Sequence, residues 1–141
     1  MLKRHLFLLG FLLMSILSWG QQPHPQGDDP IAQNLFPPEL VMRFHQEIAL
    51  DENQSKAIKD LVQKAQTKFL DMQWDMQSEA EKLIQLLKAR PVDETAVLAQ
   101  VDRVLNLERE IKKAQISLLV RIKNTLNESQ QNKLMELRRR Q

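Results

Sequence analysis

Apolar residues return every three or four positions along two long stretches of the chain, the spacing that keeps side chains on one face of an α-helix. In the first, Ile58, Leu61, Val62, Ala65, Phe69, Met72, Met76, Ala80, Leu83 and Leu87 fall within about 100° of one face. The pattern predicts a helix from about Glu52 to Ala89, roughly 57 Å long at 1.5 Å per residue. In the second, Val97, Val101, Val104, Leu107, Ile111, Ala114, Leu118 and Ile122 predict a helix from about Glu94 to Leu126. Arg90-Pro91-Val92-Asp93 parts the two: Pro91 disfavours helical geometry at Arg90, and Asp93 is a ready N-cap. Long helices joined by so few residues fold back as an antiparallel hairpin. Shorter patterns flank it. Leu40, Val41, Phe44 and Ile48 give one face to a helix opening at Pro37-Pro38-Glu39 and ending near Ala49. Leu134 and Leu137 face inward from a last helix, about Glu128 to Arg139. The expected fold class is all-α, a long antiparallel helical hairpin flanked by two short helices.

Leu50-Asp51-Glu52-Asn53-Gln54 and Leu126-Asn127-Glu128-Ser129-Gln130 repeat one pattern, L-[DN]-E-x-Q, 76 positions apart. Each sets an Asx residue at a helix start and a Gln three places on. That is a capping box: the Asx side chain accepts the N3 amide, and the Gln reaches back to the cap's own N–H. Asp51, Gln54, Asn127 and Gln130 are therefore read as structural caps. Asn53-Gln54-Ser55 and Asn127-Glu128-Ser129 also match the glycosylation sequon, but both coincide with the boxes and are read as caps. No glycine occurs from Asp28 to Gln141, in keeping with long unbroken helices.

Not every residue suits a simple hairpin. Glu108 and Gln115 interrupt the second stripe and are expected to form a buried, register-setting polar layer rather than a metal or functional site. A further apolar row, Leu98, Leu105, Ile116 and Val120, lies well round from the main one, and Leu70 and Trp74 stand at i and i+4 away from the first stripe. Two helices cannot cover all of this. The short helices should take some of it, and the rest asks for a partner: a second copy in a homodimer, or a client docking on Leu70 and Trp74.

The first twenty residues read as an export signal, with Lys3, Arg4 and His5 before the apolar run Leu6 to Leu17, and small residues at Ser18 and Gly20 that place cleavage after Gly20. That run is short of the roughly 20 residues a membrane span needs, though retention as an anchor is the alternative. Residues 21–35, with Pro23, Pro25, Gly27 and Pro30, read as a disordered leader, and 36–141 as one helical domain. The chain has 20 basic and 18 acidic residues; losing Lys3 and Arg4 leaves 18 of each, so charge gives no reason to expect nucleic acid as a partner. With no cysteine there is no disulfide framework, and helix packing must supply the stability.

These features together resemble the Spy/CpxP family and its relatives, the periplasmic heavy-metal resistance and sensor proteins. The resemblance rests on the export signal, the Pro-Pro-Glu entry at Pro37 to Glu39, the two boxes and the glycine-free hairpin, and covers about Phe36 to Leu137. The family's box is usually L-T-x-x-Q; here Asp51 and Asn127 replace the threonine, and all three are N-cap residues. The resemblance implies a non-enzymatic periplasmic protein, a hooked hairpin paired as an antiparallel dimer. Some members hold unfolding clients, some report envelope stress to a membrane sensor partner, and some bind or sense divalent metals.

The metal alternative needs ligands. His45 follows Met42 by three residues on one helical face, and His24 lies in the leader. Two histidines do not close a zinc site without carboxylates, whereas a soft Met–His pair suits copper or nickel. Nickel, copper, cobalt or zinc are the candidates; no cofactor is required. Of the six methionines, Met1 and Met14 belong to the signal and Met72 and Met76 to the stripe, leaving Met42 and Met135. Enzyme readings fail on inventory: no cysteine nucleophile, no glycine-rich phosphate loop and no H-E-x-x-H pair. Arg138, Arg139 and Arg140 are expected to complement the last helix dipole and trail into solvent rather than form an anion site.

Overall fold

The computed structural model describes residues 30–140. The export signal, its cleavage point, His24 and most of the leader lie outside the described residues. Pro30–Gln33 is a single helical turn, α1, and belongs to a different compact unit from the one that begins at Asn34. The second unit is all helix and turn. Its elements are α2 (Pro38–Arg43), α3 (Glu52–Lys88), α4 (Glu94–Thr125) and α5 (Glu128–Arg139).

Pro38 opens α2 at a position where a missing N–H costs nothing, and the Leu40 and Val41 amides bond back to the Pro37 carbonyl at 3.0 and 3.2 Å. Regular helix stops at Arg43, six residues short of the expected end near Ala49. The chain continues in turns, held by Phe44 N–H to Leu40 O and Ile48 N–H to Phe44 O. It closes with paired bonds, Leu50 N–H to His45 O at 2.8 Å and Ala49 N–H to Gln46 O at 3.0 Å, around Ala49 at φ 49°. That bond pair is a Schellman closure, here with alanine in the left-handed position that glycine usually fills.

α3 and α4 are the only described elements with extensive mutual packing, and together they form the expected antiparallel hairpin. Yet the fully buried apolar residues gather at its open end. Phe36, Val41, Ile48, Ile58, Ile122, Leu126 and Leu134 form one cluster drawn from every part of the unit, with Leu40, Phe44, Leu50, Leu118, Met135 and Leu137 packed around it. Ile58 is the one buried residue of α3, although that helix has 37 residues. Further along, Ala65, Phe69, Met72, Met76, Ala80 and Leu83 are half-buried, because two helices can shield only a narrow seam. Leu87 is exposed near the hairpin tip, and Leu86 takes the half-covered position beside it.

The same narrowness corrects the expected polar layer. Glu108 and Gln115 are exposed, not buried. They flank the seam of Val104, Leu107, Ile111, Ala114 and Leu118, and a flank needs a third helix to be covered. The polar lock lies instead near the tip. Gln100, 5 % exposed, donates its amide to the Glu79 carbonyl at 2.9 Å and to Glu79 Oε2 at 2.6 Å. It ties α3 to α4 and fixes their register.

Candidate functional site

Both L-x-E-x-Q boxes form complete capping boxes. Gln54 N–H donates to Asp51 Oδ1 at 2.8 Å while Asp51 N–H donates to Gln54 Oε1 at 3.2 Å; Gln130 N–H and Asn127 N–H do the same with their partners at 2.9 and 3.0 Å. A capping box uses only the oxygen of its glutamine. The structure shows where the two amide nitrogens go: they bridge the boxes. Gln54 Nε2 donates to Gln130 Oε1 at 2.8 Å, and Gln130 Nε2 returns a bond to Gln54 Oε1 at 2.9 Å. The second N–H of Gln54 reaches Thr125 O at 2.9 Å, a last-turn carbonyl of α4. The second N–H of Gln130 reaches Ile48 O at 3.2 Å, with Ala49 O at 3.4 Å. Each side chain thus fills both donors and both acceptor sites of its amide. The clasp fastens the turn before α3, the end of α4 and the start of α5 into one joint over the buried cluster. The boxes were legible in the sequence, but not the bridge. One signal was available: glutamate would serve a capping box as well, and glutamine in both boxes leaves amide donors needing acceptors.

A second fastening was missed. Phe36 is buried beneath two cations, with Lys123 Nζ 5.9 Å and the Arg138 guanidinium 5.4 Å from its ring centroid. Lys123 donates to Asn34 O at 2.9 Å and Arg138 to Leu35 O at 2.6 Å. Arg138 is therefore a clamp on the entering strand of chain, not part of a solvated tail. Burial pulls its guanidinium below the ordinary arginine value, and it stays charged at any physiological pH. Arg139 and Arg140 are exposed, and Arg140 pairs with Glu136.

Away from the joint the hairpin carries bare apolar residues. Leu70 is 54 % exposed and Trp74 64 %; Leu98 and Leu105 are 56 % and 53 %. α2 and α5 pack at the open end and leave these positions uncovered. Counting back five residues from Glu79 and on five from Gln100, its partner across the seam, brings Trp74 level with Leu105. At 100° per residue, Leu70, Leu98 and Leu105 share one flank of the hairpin, and Trp74 stands 40° further round on the outside of α3. The opposite flank is a charged groove, lined by Lys64 and Lys68 from α3 and Lys113 and Arg121 from α4.

His45 lies at the turn after α2. Its Nδ1 is 2.7 Å from the Met42 carbonyl, which can only accept, so Nδ1 holds the proton and a neutral ring has its lone pair on Nε2. Met42, three residues earlier in the chain, is exposed. This arrangement fixes an imidazole as a ligand from its outer nitrogen. Among the described residues, no group of three or more His, Cys, Asp or Glu side chains is set to hold a metal ion. The pair would supply two donors, with others coming from outside it.

The family model described as heavy-metal resistance matches residues 5–133, from near the start of the chain to within α5. No curated protein and no solved structure matches the chain.

Proposed function

The chain belongs to the heavy-metal resistance family, within the Spy/CpxP-like helical group, and from that premise we propose that it is a non-enzymatic periplasmic protein acting by binding. The observation that supports this reading is the bare apolar flank of Leu70, Leu98 and Leu105, with Trp74 at its edge, on a hairpin whose packing is completed elsewhere. Apolar ground flanked by mixed charge holds an unfolding client or an envelope partner weakly and reversibly, without ATP. Residues 1–20 would direct export. A second copy is the other natural occupant of surplus surface. Residues 70–105 hold seven acidic and four basic residues, whereas residues 52–69 and 106–125 together hold nine basic and four acidic. Two hairpins laid antiparallel bring the acidic tip of each against the basic half of the other.

Aggregation suppression of a chemically unfolded client tests the reading. Trp74→Ala and Leu105→Ser are expected to reduce suppression while far-UV helicity is unchanged; undiminished suppression would overturn it.

A second reading is favoured by the His45–Met42 geometry together with the family's description: binding or sensing of a soft divalent or monovalent cation. His45 would coordinate through Nε2 and Met42 through sulfur. Thermal unfolding with EDTA and then with nickel, copper, cobalt or zinc tests it. A saturable rise with one metal, abolished by His45→Ala, is the expected result, and a flat response to all four would end this reading.

A further inference from the structure

The charged flank of the hairpin has a chemistry of its own. Between α3 and α4, on the side away from Leu70 and Leu105, runs a groove of about 270 Å³. Lys64 and Lys68 stand one helical turn apart on one bank. Lys113, Ser117 and Arg121 stand at successive turns on the other, over roughly 12 Å. Glu110 is the single acid of the lining. The floor is the apolar seam itself, so the only polar groups a ligand meets are these walls. We propose that this groove binds a linear phosphate polymer, an inorganic polyphosphate strand lying between the two rows of cations.

Three observations narrow the ligand. The cations are spread along two facing banks rather than converging on a point, which suits a strand of repeated charges better than one small anion. They face each other across a cleft, whereas a bilayer surface would be met by cations standing in one plane. Apart from Glu110, every polar side chain in the walls can donate hydrogen bonds. A phosphate polymer accepts at every oxygen and satisfies such a wall. An acidic peptide would bring backbone N–H groups for which the walls offer one acceptor.

Glu110 already behaves as an anion in the groove. Its carboxyl is held below the ordinary glutamate value, first by the hydrogen bond from Lys113 at 3.0 Å and then by the charge of Lys113, with smaller contributions from Arg109 and from Lys68 on the facing helix. An incoming polyanion must compete with it. Removing that carboxylate should therefore strengthen binding, an effect that simple loss of folding cannot imitate.

The test is titration of the purified protein with a fluorescently labelled short linear polyphosphate at low salt, followed by anisotropy. Saturable binding is expected, weakened by salt. The triple variant Lys64→Gln, Lys68→Gln, Arg121→Gln should lose about tenfold in affinity, as three exposed charge contacts would predict. Glu110→Gln should tighten binding severalfold, and Lys88→Gln with Arg90→Gln at the hairpin tip should leave it unchanged. Absence of saturable binding would overturn the proposal, as would equal loss in the tip variant or no gain in Glu110→Gln. Orthophosphate competing at similar concentration would mean a single-anion site. Equal binding of poly-glutamate would mean an acidic-peptide surface, and groove-dependent sedimentation with phosphatidylglycerol vesicles would mean a membrane surface. Each of these outcomes also overturns it.

Discussion

A glutamine at each box differs from a glutamate by two N–H groups, and in this fold those groups decide the identity. Gln130 is 6 % exposed and spends its amide on Gln54 Oε1 and on the carbonyls of the turn before α3. Gln130→Glu would replace two donors by an acceptor, strand buried carbonyls and set a carboxylate oxygen against Gln54 Oε1. We expect a loss of about 3 kcal/mol in denaturant unfolding, with Gln130→Ala closer to about 2 kcal/mol, since leaving partners unsatisfied costs more than the bond itself gains. The neighbouring Ala49 makes the opposite prediction. Its φ of 49° turns the Ile48 and Ala49 carbonyls towards Gln130, and a β-carbon there costs roughly 1 kcal/mol. Ala49 is exposed, so Ala49→Gly relieves the strain without emptying the core and should raise stability by about that amount. The boxes could be read from five residues at a time. The bridge joins positions 76 apart, and no local pattern encodes which distant carbonyl an amide will find.

At the scale of elements, the helices were legible because periodicity and capping are local. α3 and α4 begin where the caps at Asp51 and Asp93 place them and end within one residue of the expected positions. What periodicity cannot give is how wide a stripe will be covered. Glu108 and Gln115 would lie inside a three-helix core, but the hairpin offers them no third wall. Gln100 stands three residues after Val97 and four before Val104, on the apolar face itself, so its position was a legible sign of a polar group in the seam, and only its bonding partner was not. Its partner is in part a backbone carbonyl, which sequence does not display. Gln100→Ala should cost about 1 to 2 kcal/mol by leaving the Glu79 groups without their partner. Hydrogen exchange should localise the effect: amides near residues 79 to 100 lose protection, and those around Ile58 and Ile122 keep it.

For the whole molecule, the two ends of the hairpin are held by different chemistry, and acid should separate them. The open end rests mainly on apolar burial and on a bridge of neutral glutamine amides, which do not titrate; the carboxylates near it, Asp51 at the α3 cap and Glu136 on α5, lie outside that bridge. The tip rests on Glu79. Its carboxyl is held below the ordinary value of 4.5, chiefly by the hydrogen bond from Lys82 and then by that from Gln100. A carboxyl whose pKa is depressed on folding contributes stability that is fully present above its unfolded value and is lost as pH falls through its folded one. Glu110, depressed first by its hydrogen bond from Lys113, and Glu136, first by that from Lys133, carry the same sign on exposed surfaces, where each contribution is small. Stability should therefore be level from pH 8 to about pH 5 and decline below about 4.5. The decline should start at the tip, because protonating Glu79 removes one acceptor of Gln100 while the clasp is untouched. Trp74 lies five residues from Glu79 and is the one tryptophan from Gln21 onward, so in the chain without residues 1–20 its fluorescence reports the tip, and far-UV ellipticity reports the whole. On acid titration the fluorescence change should come at higher pH than the loss of helix, and Glu79→Gln should abolish that early phase. Coincident transitions in both proteins would mean that the hairpin opens as one unit and that the Gln100–Glu79 lock does not govern its tip.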